Sequence, residues 1–226
     1  MRRADCPRSG AHPLSISCAF CASLRLIRYF RISPPPALCF IMTARGTMKR
    51  AVFLDRDGTL IEERDYLWRP EDVVIFPGTG KALGRLQRAG FELFLVSNQS
   101  GVGRGYFTLA DVERVNRHLS AELARENVQF RKLYIAPEAP GQPSRGRKPS
   151  PQFLLDARDE FGVDLSQSFM IGDKLIDLEC GWNAGVKKSI LVRTGYGAAL
   201  ERSVPDQLKN AWVVDNLSAA ADQILA

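Results

Sequence analysis

Histidine is almost absent. Only His12 and His118 occur in 226 residues, and His118 sits in an amphipathic stretch. That argues against a Ser-His-Asp triad or a phosphohistidine intermediate. Cysteine is confined to one end: Cys6, Cys18, Cys21 and Cys39 precede residue 40, and only Cys180 follows. Cys18-x-x-Cys21 could be half a zinc site or a redox pair, but a structural zinc site needs about four ligands and His12 is the only histidine nearby, so no metal is expected there. No apolar run approaches the ~18 residues of a membrane span. Excess charge is missing from most of the chain. The net +6 comes wholly from residues 1–47, with seven arginines and one acid, and the remainder balances 24 basic against 24 acidic residues. The basic footprint of a nucleic-acid binder is therefore lacking in the larger part. No coiled-coil segment is visible either, so a cytoplasmic monomer without nucleic-acid or membrane partners is expected.

What remains is ordinary globular material, 45% apolar and 25% charged. Residues 1–47 are Arg-rich and acid-poor, with a Pro34–Pro36 triplet and no sustained period. The composition mimics a transit peptide, while Arg25, Arg28 and Arg31 break up any apolar signal core. The reading adopted is an N-terminal extension, disordered or arising from a start assigned upstream of Met42 or Met48. Packed structure is expected from Met48 onward, as one domain over 48–226.

Short apolar strands are predicted at 50–55, 91–97, 133–136, 169–172, 189–193 and 212–214. Helices are predicted at 79–89, from Thr108 onward, from Ser150-Pro151 onward, at 175–184 and at 218–226. Thr108-x-x-Asp111 has capping-box form. Gly90 and Gly185 are placed to close helices, and Pro151 to open one. Strands alternate with helices without hairpin turns. That predicts an α/β fold, a three-layer Rossmann-like parallel sheet with helices on both faces. Ligands of such sheets bind beyond the carboxyl ends of the strands.

Four polar stretches fall at those ends: Asp55-Arg56-Asp57-Gly58-Thr59, Ser97-Asn98-Gln99-Ser100-Gly101, Arg147-Lys148-Pro149 and Gly172-Asp173-Lys174. A calcium loop is excluded at the first, because its sixth position holds Leu60 rather than glycine. A helix N-cap would account for Asp173 alone, but not for the set. Two neighbouring carboxylates repel, and one is driven to take a proton unless a cation intervenes. Magnesium prefers one or two carboxylates together with a phosphate oxygen. Asp55 and Asp173, converging from neighbouring strands, suit that ion, which leaves Asp57 free to act as an acid. Lys148 offers a point charge to a phosphate, and Ser97 a hydrogen bond.

These motifs, in this order, resemble the four signatures of the haloacid dehalogenase superfamily of phosphatases and phosphotransferases, over about residues 50–217. FLDRDGTL, SNQSG, RGYFT, RKPSP and MIGDKLIDLECGWNAG are similar to its small-capped branch, which holds heptose-bisphosphate and histidinol-phosphate phosphatases. NQSGVGRGYFT and GDKLIDL favour the heptose side. The resemblance implies that Asp55 attacks phosphorus and that Asp57 protonates the leaving oxygen and then activates water. It implies magnesium held by Asp55, the carbonyl of Asp57, and Asp173, with Ser97 and Lys148 stabilising the transferring phosphoryl group. It implies substrate contacts from Glu63, Arg64, Tyr66, Asn98, Gln99, Arg147 and Lys174, and a small phosphorylated sugar as substrate. Arg64 and Asp65 stand where relatives often have His and Gly.

The chain departs from the branch in one respect. No Cys or His occurs over 133–151, where many members carry a zinc loop, so no zinc is expected. Pro137, Pro140 and Pro143 are read as stiffening that loop instead. Arg145 is read as facing either a distal phosphate or solvent. Forty residues separate Asp57 from Ser97, too few for a large cap beyond the helix and strand they must form. Competing readings are a histidinol-phosphate phosphatase, disfavoured by Arg64, Arg145 and Arg147 against a cationic substrate; a nucleic-acid 3′-phosphatase, disfavoured by the neutral domain; and a silent binding module, disfavoured by the intact acids.

Overall fold

The computed structural model describes residues 48–226. The expectations for residues 1–47, including Cys18-x-x-Cys21, lie outside the described residues. Six strands form one parallel sheet in the order β3-β2-β1-β4-β5-β6: β1 Arg50–Leu54, β2 Phe91–Asn98, β3 Lys132–Ala136, β4 Phe169–Gly172, β5 Lys188–Val192 and β6 Ala211–Val214. The order reverses at β1, and β4 pairs directly with it. The carboxyl ends of β1 and β4 thus lie side by side at the switch point, where such sheets bind ligands.

The central strands β1, β2, β4 and β5 are buried on both faces, which explains their nearly unbroken apolar runs, while the edge strands β3 and β6 are partly exposed. Alternation splits each strand between two cores. Val52, Leu54, Leu93, Leu95 and Ile171 join helices α1 (Thr79–Arg88), α3 (Leu109–Ala124) and α7 (Leu217–Leu225) on one side. Ala51, Phe53, Phe94, Val96 and Met170 meet α4 (Gln152–Phe161) and α5 (Leu175–Ala184) on the other. This is the expected three-layer architecture. The Thr108 cap forms as read: Asp111 N–H donates to Thr108 Oγ1 at 3.3 Å, and Thr108 N–H donates to Asp111 Oδ2 at 2.7 Å. Such a cap contributes about 1 kcal/mol.

The helix expected from Ser150-Pro151 starts at Gln152, with Pro151 in the cap position. Two short helices, α2 (Ser100–Gly103) and α6 (Gly197–Ser203), carry too little periodicity to be predicted. Between Leu54 and Thr79 the chain makes only a short 3₁₀ turn at Pro70–Asp72 and two isolated bridges, Asp57 to Ile61 and Ile61 to Ile75. Among the described residues no inserted domain covers the carboxyl end of β1.

Candidate active site

Asp55 N–H donates to Ile171 O at 2.9 Å, so the β1–β4 ladder holds the Asp55 backbone one residue past its strand. The chain then closes on itself. Arg56 O accepts from Leu60 N–H at 2.9 Å and Ile61 N–H at 3.2 Å, and Gly58 takes φ +80°. A Cβ on Gly58 would overlap the Asp173 carboxylate, as would one on Gly195. Glycine is required twice here, once for conformation and once for approach.

The centre of the site is anionic and buried. Carboxylate oxygens of Asp55, Asp173 and Asp177 lie within 4.8 Å of one another. Lys148 is 3% exposed, and its ammonium lies 2.8 Å from Asp55 Oδ1, 2.6 Å from Asp177 Oδ1 and 2.7 Å from Val96 O. Burial pulls the Lys148 pKa down, but Asp177 and Asp55 outweigh it and the net shift is upward. Lys148 therefore stays a fixed charge and does not reach outward as a flexible arm.

One cation does not balance three acids. Burial, and then the neighbouring Asp55 charge, raise the pKa of Asp173. Its Oδ1 is buried without a hydrogen-bond partner, while Oδ2 accepts from Tyr196 N–H at 2.9 Å. No described residue donates to the carbonyl of Asp57. An orphaned carboxylate oxygen, a free carbonyl and an adjacent carboxylate are hard oxygen donors, and they fit a small divalent cation.

Asp177 is the residue that sequence reasoning missed. Its signal was present: an acid four residues after Asp173, in the first turn of α5, where negative charge is favoured. There it accepts from Lys174 N–H at 3.0 Å and packs against Gly172, where a Cβ would overlap it. Also missed was the loop after β5, where Thr194 Oγ1 donates to Gly58 O at 2.6 Å and ties Gly195-Tyr196 onto the site.

Two polar hollows adjoin the carboxylates. One, about 220 Å³, is lined by Asp55, Asp57, Asn98, Arg147, Lys148, Lys174 and Asp177 among others. The second, about 180 Å³, is lined by Asp57, Glu63, Arg64, Tyr66, Gln99 and Lys174 among others. A larger groove of about 630 Å³ lies between α3 and β3. It holds none of the clustered acids, so chemistry rather than volume locates the site.

The predicted residues thus gather at one place, with distinct environments. Ser97 is 1% exposed and accepts from Gln99 Nε2 at 2.8 Å. Gln99 Nε2 also donates to Asp57 Oδ2 at 2.9 Å. Asn98 is committed to the 147–149 turn, accepting from Lys148 N–H at 3.0 Å and donating to Lys148 O at 3.1 Å. Arg147 is braced on Glu138 O at 2.9 Å. Lys174 pairs with Glu63 at 2.6 Å, and burial raises the pKa of Glu63 despite that partner. Arg64 is half exposed, near Glu62 at 3.4 Å. Tyr66 takes φ +57° and meets Tyr106 edge to face at 4.7 Å. Arg145 does not join them. It forms a forked pair with Asp156 at the surface, which favours the solvent-facing alternative.

Residues 146–220 match the family model described as HAD-hydrolase-like. A D-glycero-D-manno-heptose-1,7-bisphosphate 7-phosphatase of Chlorobaculum tepidum is 43% identical over 162 residues, 65% of this chain and 80% of that protein. The chain belongs to the heptose-bisphosphate phosphatase family of haloacid dehalogenase-like hydrolases. The D-glycero-beta-D-manno-heptose-1,7-bisphosphate 7-phosphatase of Escherichia coli K12 is 35% identical over 177 residues, covering 74% of this chain and 90% of that one. Among solved structures, D,D-heptose 1,7-bisphosphate phosphatase of B. bronchiseptica, complexed with magnesium and phosphate, superposes with TM-score 0.71 at 30% identity, over 78% of this chain and 98% of that chain. This member of the family is a phosphatase with the same parallel-sheet architecture.

Proposed function

We propose that the enzyme removes the 7-phosphate of D-glycero-D-manno-heptose 1,7-bisphosphate, with magnesium, through an aspartyl-phosphate on Asp55. The observation that carries the reading is the buried triad of Asp55, Asp173 and Asp177, with Lys148 paired to Asp55 and Asp177 and an Asp173 oxygen left orphaned. It sits in a chain whose relatives carry that activity in their names. Asp55, the Asp57 carbonyl and Asp173 would hold the magnesium, which when bound neutralises charge on the phosphoryl oxygens.

The chain's own groups do the rest. The Asp55 carboxylate, held by Lys148 at Oδ1 2.8 Å away, attacks phosphorus. Asp57 gives a proton to the leaving sugar oxygen, then takes one from the water that hydrolyses the acyl phosphate. Lys148 holds Asp55 in place and supplies fixed positive charge, and Ser97 donates to a phosphoryl oxygen. Arg147 and Lys174 line the cleft as cations for the distal phosphate; Glu63, Arg64, Tyr66, Asn98 and Gln99 shape its wall.

A panel tests the substrate: both anomers of heptose 1,7-bisphosphate, histidinol phosphate and a 3′-phosphorylated oligonucleotide, with magnesium. A preference for heptose bisphosphate is expected. A preference for histidinol phosphate would keep the chemistry and overturn the substrate. No release from any of them would leave a binding module.

A further inference from the structure

Arg56 separates the two catalytic aspartates, and the mechanism above does not use it. It is 1% exposed and is the largest fully buried side chain among the described residues. A buried guanidinium without partners costs several kcal/mol, so what it touches shows what it is for. Nε donates to Asp57 Oδ2 at 3.1 Å, and Nη2 donates to Asp57 Oδ1 at 3.1 Å while also lying 3.0 Å from Oδ2, so the guanidinium grips both oxygens of the adjacent carboxylate. The remaining arm, Nη1, donates to Asn116 Oδ1 at 2.9 Å. Asn116 is itself 5% exposed, on α3 beside the core residue Val115.

Hydrogen-bond accounting on Asp57 then becomes specific. Each carboxylate oxygen has two acceptor sites. Oδ2 receives Arg56 Nε and Gln99 Nε2 and is filled. Oδ1 receives Arg56 Nη2 alone, so one site stays open on a residue that lines the cleft.

We propose that Asn116 and Arg56 are positioning residues that clamp Asp57 in one rotamer, with Oδ1 as the oxygen that hands over the proton. This rests on Asp57 being the acid. In the step concerned, the bond between Asp55 Oδ and phosphorus forms as the bond from phosphorus to the sugar oxygen breaks. The sugar oxygen takes the proton from Asp57 Oδ1, leaving a carboxylate. Losing the Asn116 acceptor leaves Nη1 buried and unpaired. The guanidinium then turns toward water, and Asp57 loses its grip. Misplacement of a reacting group by about 1 Å can cost on the order of 100-fold.

The test compares kcat/KM for heptose 1,7-bisphosphate, whose alkoxide needs a proton to leave, with that for p-nitrophenyl phosphate, whose phenolate does not. For both, kcat/KM reports only through aspartyl-phosphate formation. Asp57→Asn and Asn116→Leu are expected to lower the heptose-to-nitrophenyl ratio by about tenfold or more, within the range of general-acid contributions. Asn116→Asp, which keeps an acceptor for Nη1, is expected to restore it to within about threefold. If Asp57→Asn shifts the ratio and Asn116→Leu does not, the clamp is overturned while the acid stands. If Asp57→Asn leaves the ratio unchanged, the acid assignment falls and the clamp with it. Arg56→Lys keeps the charge without the fork and covers the case of an unfolded Asn116→Leu. It is expected to shift the ratio in the same sense, and a wild-type ratio overturns the proposal.

Discussion

Replacing Lys148 with methionine tests the electrostatic account of the site most sharply. Methionine nearly fills the lysine's volume but removes the charge that lies 2.8 Å from Asp55 and 2.6 Å from Asp177. Three buried carboxylates within 4.8 Å would then face one another. Removing one partner of a buried pair costs about 3–5 kcal/mol, because the surviving charge is left without compensation. In a domain of this size each kcal/mol lowers Tm by about 2–4 °C, so the melting point should fall by roughly 6–20 °C at neutral pH. The loss should be partial in Lys148→Met/Asp177→Asn, which deletes the stranded charge as well. Magnesium should raise Tm of the single variant by more than it raises that of the wild type, since a bound cation replaces missing charge and stabilises by mass action. Differential scanning calorimetry with and without magnesium measures all three. A single variant that melts with the wild type would refute the premise that Lys148 balances the acid cluster.

Further expectations follow from single atoms. Metal-free protein should lose stability as pH rises from the ordinary carboxylate range toward about 8, where Asp173 titrates when folded because burial and Asp55 hold its pKa up. Its proton is bound more tightly in the folded state, so the stabilisation is fully present at low pH and vanishes above that point; melts across pH in chelator check the sign. Gly58→Ala should cost about 1–3 kcal/mol and most activity, since φ is +80° and the new methyl meets Asp173; urea unfolding and phosphate release measure both. Asp173→Asn should abolish the magnesium-dependent rise in Tm while leaving the metal-free protein at least as stable as wild type, which thermal melts decide. Cys180 is fully buried and burial pushes its thiol up to about 12, so mass spectrometry should find it unlabelled after native alkylation.

The sheet was legible because buried parallel strands are short apolar runs, and Val52, Phe53 and Leu54 announce one without ambiguity. The site was legible because its acids fall at strand ends. Asp177 was harder to see, since an acid in a first helical turn has an ordinary capping explanation and becomes functional only when Lys148 arrives from another loop. Thr194-Gly195-Tyr196 carried no local signal at all. Its importance comes from packing on Gly58 and Asp173 across 136 and 22 residues of chain. Arg145 stays open in the sequence between a distal phosphate and solvent, since a basic residue near a phosphate motif need not point at it, and Asp156 on α4 decides for the surface by pairing with it. Arg56, conspicuous between two aspartates, could be interpreted only once Asn116 was seen to meet its far side.

The central claim is that Asp55 becomes covalently phosphorylated. The most direct measurement is acid quenching of the enzyme during turnover of heptose 1,7-bisphosphate with magnesium, borohydride reduction, and peptide mass spectrometry. An acyl phosphate is reduced to the alcohol, so homoserine is predicted at position 55 and at no other aspartate. Homoserine at Asp57, Asp173 or Asp177, or none while the dephosphorylated sugar forms in a burst ahead of phosphate, would contradict the account.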